Sequence, residues 1–216
     1  MCGRFALHTL VGDLQQHFGL FGNLEFRPRY NVAPSTTSPI VRQGDAGPEM
    51  ALCKWGLIPS WAKTLPANKP INARSETIAE KPYFHSAFKR RRCLVPANGY
   101  YEWKQDGPAK QPYYIRLAGA ELFAFAGIWD RWEAGPKPLD TFAIITTAAN
   151  DTTAPVHDRM PVILDPGQYG AWLKDGGTRM LMPFGGAMRA HLVSTRVNSP
   201  KNDGIELIEP LPTPLG

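Results

Sequence analysis

Glycine and proline, 20 and 21 of the 216 residues, interrupt this chain so often that few long helices can form in it. Most of what lies between the interruptions reads as strand. Expected strands fall at 51–57, 93–95, 100–104, 112–117, 121–129, 141–147 and 191–197. Gln105-Asp106-Gly107 supplies a turn that folds 112–117 back on 100–104. Helices are expected at three places. Leu10, Val11, Leu14 and Phe18 form one helical stripe, ended by Gly19 and Gly22. A short helix is expected at 76–81, with Pro82 able to restart it as a first-turn proline. Asp165-Pro166 opens the third, with Tyr169, Trp172 and Leu173 on one face. Strands and helices mix without a regular βαβ alternation. The expectation is an α+β fold, one domain over 1–216, with a curved, mostly antiparallel sheet and an extended tail at 209–216.

Apolar residues make up 43% and charged residues 20%, which excludes a disordered acidic tail and a membrane protein. No apolar run approaches the roughly 18–20 residues of a spanning helix. The N-terminus lacks the pattern of a secretory signal. Three scattered cysteines (Cys2, Cys53 and Cys93) make no disulfide framework, so a cytoplasmic location is expected. The formal charge of +5 is uneven, with 13 Lys+Arg against 7 Asp+Glu in residues 1–103 and 11 against 12 in the rest. A basic half suits an acidic partner such as nucleic acid, and equally describes a solvated face.

Met1-Cys2-Gly3-Arg4 is the most unusual segment. The small side chain of Cys2 makes Met1 removable, and removal leaves a thiol and an α-amine on adjacent carbons. Their free pKa values, ~8.5 and ~7.7–8.0, leave both partly nucleophilic near neutral pH. Such an amine attacks an aldehyde to form a Schiff base, and the thiol then closes a five-membered thiazolidine. An internal cysteine cannot do this, because its nitrogen is an amide. Three further segments look too polar for plain core. Asn72 and Arg74 share a face of an extended segment. Glu102 sits between Tyr101 and Trp103, where burial would raise its pKa and suit it to acid–base work. His157 and Arg159 stand two apart, a proton shuttle beside a phosphate fork. Lys89-Arg90-Arg91-Arg92 is either a phosphate-tracking patch or an ordinary helix end. Trp55, Trp61 and Trp103 either stack on bases or pack in the core. There is no C-x-x-C, H-E-x-x-H, glycine-rich nucleotide motif or G-x-S-x-G, so no metal or cofactor is expected.

Taken in order, these segments resemble the SOS response-associated peptidase (SRAP) family, whose members sense abasic sites in single-stranded DNA. The matching stretches are Met1-Cys2-Gly3-Arg4-Phe5, Tyr30-Asn31-Val32-Ala33-Pro34, Trp55-Gly56-Leu57-Ile58-Pro59-Ser60-Trp61 and Ile71-Asn72-Ala73-Arg74-Ser75-Glu76-Thr77. They continue with Arg92-Cys93-Leu94-Val95-Pro96-Ala97, Gly99-Tyr100-Tyr101-Glu102-Trp103 and Val156-His157-Asp158-Arg159-Met160-Pro161. The resemblance implies a barrel-like β core flanked by short helices. It implies self-processing at Met1, then a covalent thiazolidine crosslink between Cys2 and the ring-opened abasic sugar. Asn72 would position the crosslink, Glu102 would be the acid–base group and His157 the proton-transfer residue. Arg4, Arg74 and Arg159 would hold phosphates, with Lys81 where some members carry arginine. Pro34, Trp61 and Trp103 would line the DNA channel. Asn98 stands where members often have aspartate, a change the turn should tolerate. The expected partner is abasic single-stranded DNA, bound by a monomer that is cytoplasmic and nucleoid-associated when on DNA. Two other readings use the same residues: a Cys2/His157 peptidase acting on other proteins, and a non-covalent single-stranded DNA-binding module.

Overall fold

The structure, a computed structural model, describes residues 2–22 and 24–212. Its elements run β1 (Arg4–Leu7), α1 (Val11–Phe18), β2 (Arg29–Val32), β3 (Thr37–Gly44), β4 (Gly47–Trp55) and β5 (Asn72–Arg74). They continue through α2 (Pro82–Arg90), β6 (Arg92–Ala97), β7 (Gly99–Asp106), β8 (Ala109–Leu117), β9 (Phe123–Trp132) and β10 (Leu139–Ala148). The chain closes with β11 (Arg159–Pro161), β12 (Ile163–Leu164), α3 (Tyr169–Asp175) and β13 (Met188–Leu192).

The strands form two sheets. One runs β13-β8-β7-β1-β2. The other runs β11-β10-β4-β3-β6-β9-β12, with β5 beside β10. A further β9–β10 pairing closes β10, β4, β3, β6 and β9 into a ring. That ring is the barrel-like core, and its pairings are antiparallel except where β10 meets β4 and β5. Alternation along the strands builds two cores. Cys93, Val95 and Phe125 join Phe5, Tyr100 and Trp55 between the sheets, with Phe5 edge-on to Trp55 at 5.2 Å. Leu94, Ala126 and Ile128 face the other way, against Phe84 and Phe88 of α2 and Trp172 of α3. The fold is the α+β domain expected, and Cys53 and Cys93 are buried strand residues.

Several local expectations need correction. Residues 75–80 form turns, Lys81 is the extended N-cap, and the helix begins at Pro82 as α2. The missing amide hydrogen of proline suits a first helical turn and cannot extend a helix arriving from before it. The strand expected at 51–57 begins earlier and stops at Trp55, because Gly56 turns the chain with φ 132°. The last strand is 188–192; Thr195–Asn198 is a 3₁₀ turn started by the Ser194 hydroxyl, which accepts from the Arg196 N–H. Of the tail, Leu211 donates its N–H to Leu192 O at 3.0 Å, and residues 213–216 lie outside the described part. Among the described residues no helix is long and apolar enough to cross a membrane.

Candidate active site

The two sheets meet at Cys2. β1 pairs with β7 so that Arg4 faces Tyr101, which brings Glu102 level with the residue just after Cys2. β5 arrives from the other sheet, held by its parallel register with β10 (Ile144 beside Asn72, Thr146 beside Arg74). Asn72 Nδ2 donates to the backbone carbonyl of Cys2 at 2.8 Å. That bond identifies the nitrogen of the amide, and leaves Oδ1 buried without a donor among the described residues. Cys2 is fully buried, with Sγ 3.9 Å from the Arg4 carbonyl oxygen. Burial pushes its thiol well above the ordinary range, and the nearby Glu102 carboxylate adds to the effect.

Glu102 is 2% exposed, and burial pushes its carboxyl up to about 7. It lines a cavity of about 440 Å³ together with Arg4, Trp103, Lys110, His157 and Asn198. His157 ends the turn after β10, its backbone N–H donating to Thr153 O at 3.0 Å. Its Nδ1 lies 3.0 Å from the Arg159 backbone nitrogen and 2.8 Å from Asp158 Oδ1. The first contact requires an acceptor at Nδ1 and the second a proton there. Burial lowers the His157 pKa, which favours the neutral ring. The Arg159 hydrogen is fixed by the backbone and points at Nδ1, which assigns the Nε2–H form; an Nδ1 proton toward Asp158 is the competing tautomer.

The residues expected to contact DNA divide by position. Arg4 and Trp103 reach the cavity, but both are already engaged. Arg4 donates to Asn31 Oδ1 and to the Val197 carbonyl, each at 2.9 Å, and Trp103 Nε1 donates to Asn198 Oδ1 at 2.8 Å. Arg74 is exposed on β5, on the same side as Asn72. Arg159 forks onto Glu76 and also donates to Thr146 O at 2.7 Å. Trp61 is 59% exposed, edge-on to Tyr83, while Trp55 is core. Lys81 is exposed at the start of α2, and Pro34 is half-buried in the turn after β2. Neither they nor Trp61 line the cavity. Lys110, Asn198, Asn31 and Glu76 were not singled out from the sequence. Their signal is three-dimensional, since Asn198 reaches Trp103 across 95 positions and Glu76 reaches Arg159 across 83. Among the described residues no three His, Cys, Asp or Glu side chains gather closely enough to hold a metal ion.

Comparison with known proteins bears on these residues. Residues 1–200 match a family model described as SOS response associated peptidase (SRAP). The chain is 40% identical over 222 residues to abasic site processing protein YoaM of Bacillus subtilis, covering 97% of this chain and 98% of that one. It is 35% identical to abasic site processing protein HMCES of Gallus gallus, covering 86% and 67%. A crystal structure of a protein from Bacteroides thetaiotaomicron superposes with a TM-score of 0.88 at 28% identity, covering 97% of this chain and all of that one.

Proposed function

The chain belongs to the SOS response associated peptidase (SRAP) family, and from that premise we propose that it captures abasic sites in single-stranded DNA as a covalent thiazolidine at Cys2. The observation that carries the proposal is the Asn72 amide on the Cys2 carbonyl, beside a carboxyl group held near neutrality.

Chemistry begins with hydrolysis of the Met1–Cys2 peptide bond, which consumes a water and frees the α-amine. The amine adds to the aldehyde carbon of the ring-opened deoxyribose, and the carbinolamine loses water to give a Schiff base. The Cys2 sulfur then adds to the same carbon. Its proton leaves as the C–S bond forms, and the imine nitrogen gains one. Burial keeps the Cys2 thiol neutral, so a base must take that proton. Glu102, whose carboxyl burial raises to about 7 in the chain that still carries Met1, can give or take protons near neutral pH. Neutral His157 relays the protons of dehydration. Asn72 holds the Cys2 carbonyl still and has a buried acceptor left for the sugar or the new ring nitrogen. Arg4, Arg74, Lys81 and Arg159 supply positive charge for flanking phosphates, and Pro34, Trp61 and Trp103 supply surface for bases. On this reading the protein works as a cytoplasmic monomer, on the nucleoid when bound, without metal or cofactor.

The test is a denaturing gel after incubation with an abasic single-stranded oligonucleotide. The expected result is a heat-stable shifted band that Cys2→Ala abolishes and Cys2→Ser replaces with a weaker adduct. A heat-stable band from Cys2→Ala would sink the proposal. Turnover of an unrelated peptide, lost in Cys2→Ala, would favour a peptidase. Unchanged function in Cys2→Ala would favour a non-covalent binding module.

A further inference from the structure

Acceptors hold the two terminal nitrogens of Arg159, while its Nε is buried without one among the described residues. Nη1 and Nη2 fork onto the two carboxylate oxygens of Glu76, and Nη2 also donates to the Thr146 carbonyl at 2.7 Å. The same Thr146 oxygen accepts the backbone N–H of Ser75 at 2.9 Å. Thr146 lies on β10, between β5 with Asn72 and β11 with Arg159. The guanidinium therefore spans three chain segments at one point. From there a second link runs inward, as the Arg159 backbone N–H donates to His157 Nδ1 at 3.0 Å, in competition with Asp158 Oδ1, 2.8 Å from the same nitrogen. An arginine–carboxylate fork is among the more rigid polar contacts a protein makes, and the Arg159 side chain is only 12% exposed.

We propose that Glu76 is a positioning residue of the site, whose fork on Arg159 locks the strand carrying Asn72 to the turn carrying His157 and so sets the tautomer of the imidazole. The idea rests on the proposed function for its kinetic consequence, but not for its structural one. A rival role follows from the same contact: Glu76 would be a competitor for phosphate, released when DNA arrives.

Glu76→Gln and Glu76→Asp decide between them. Glu76 is half-exposed, so both variants should fold, and a melt confirms it. Imidazole nitrogen NMR without DNA is the first readout. The wild-type protein should show His157 as a single Nε2–H tautomer, and Glu76→Gln a mixture. Rates on an abasic oligonucleotide and affinity for the intact oligonucleotide form the second. Glu76→Gln should slow crosslinking about tenfold and leave affinity within about twofold, with Glu76→Asp recovering part of the rate. An unchanged His157 tautomer in Glu76→Gln overturns the proposal. So does severalfold tighter binding of the intact oligonucleotide with no loss of crosslinking rate. If the wild-type protein forms no crosslink, the proposed function fails, and the NMR readout still decides the role of Glu76.

Discussion

Glu76 and Glu102 flank one site and respond to it in opposite ways. The Arg159 fork holds Glu76 down at about 2, while burial raises Glu102 to about 7. Free glutamate titrates near ~4.3. The Glu76 pair therefore contributes its full stability above that value and loses it only as pH falls through about 2. Glu102 behaves the other way. Below pH ~4 both folded and unfolded forms hold its proton, and it exacts nothing. As pH rises from ~4.3 the folded state carries a growing penalty, which levels off above about 7 at roughly 3.5 kcal/mol. Glu102→Gln should thus melt higher than wild type at pH 8 and equally at pH 4. Equal melting at both would show that Glu102 is not held near neutrality. The position of Glu102 between two aromatic residues made its burial legible in the sequence, and Cys2 was legible from its place after Met1. Asn198 was not. Its side chain accepts from Trp103 and its backbone carbonyl from Arg4, contacts that no local pattern encodes.

Among the elements, α2 and α3 show how a charge run misleads. Lys89-Arg90-Arg91-Arg92 could be read as a phosphate patch or a helix end. Arg91 pairs with buried Asp130 and lies over Trp129. Arg92 donates to the last carbonyls of two helices, Phe88 and Lys89 in α2 and Trp172 and Lys174 in α3. Helix C-termini carry unpaired carbonyls and partial negative charge, so one guanidinium satisfies both ends. Arg92→Met should lower stability by about 2 kcal/mol in urea unfolding and leave the salt dependence of DNA binding unchanged. A flatter salt slope without loss of stability would return Arg92 to the phosphate-binding role. The hairpin of β7 and β8 was legible because Gly107 marks a turn, and the strands β9 and β10 because they are rich in β-branched and aromatic residues. The β3–β4 hairpin was not, since Pro39 and the polar residues around 42–49 mask its period.

The whole molecule is built so that distant stretches meet at one site. Arg4 and Glu102 bring the basic half to the cavity, and His157 and Asn198 the other, while Cys2 and Asn72 are joined by their hydrogen bond beside Glu102. Asn31 helps to join the ends. Its Nδ2 donates to the carbonyls of Val197, Ser199 and Asn202, and its Oδ1 accepts from Arg4. Asp203 completes the joint by accepting the Tyr30 and Asn31 backbone N–H groups. Asn31→Ala should therefore cost roughly 3 kcal/mol and speed amide exchange across 195–203. Protection there equal to wild type would mean that other contacts hold the segment. The fold class was legible from irregular strand and helix order. The closure of β9 on β10 was not, because both strands are buried along most of their length and each pairs with several others. The central claim is tested most directly by the intact mass of the purified protein mixed with an abasic single-stranded oligonucleotide. The account predicts one new species, equal to the protein without Met1 plus the oligonucleotide less one water. Only the separate masses of protein and oligonucleotide would contradict it.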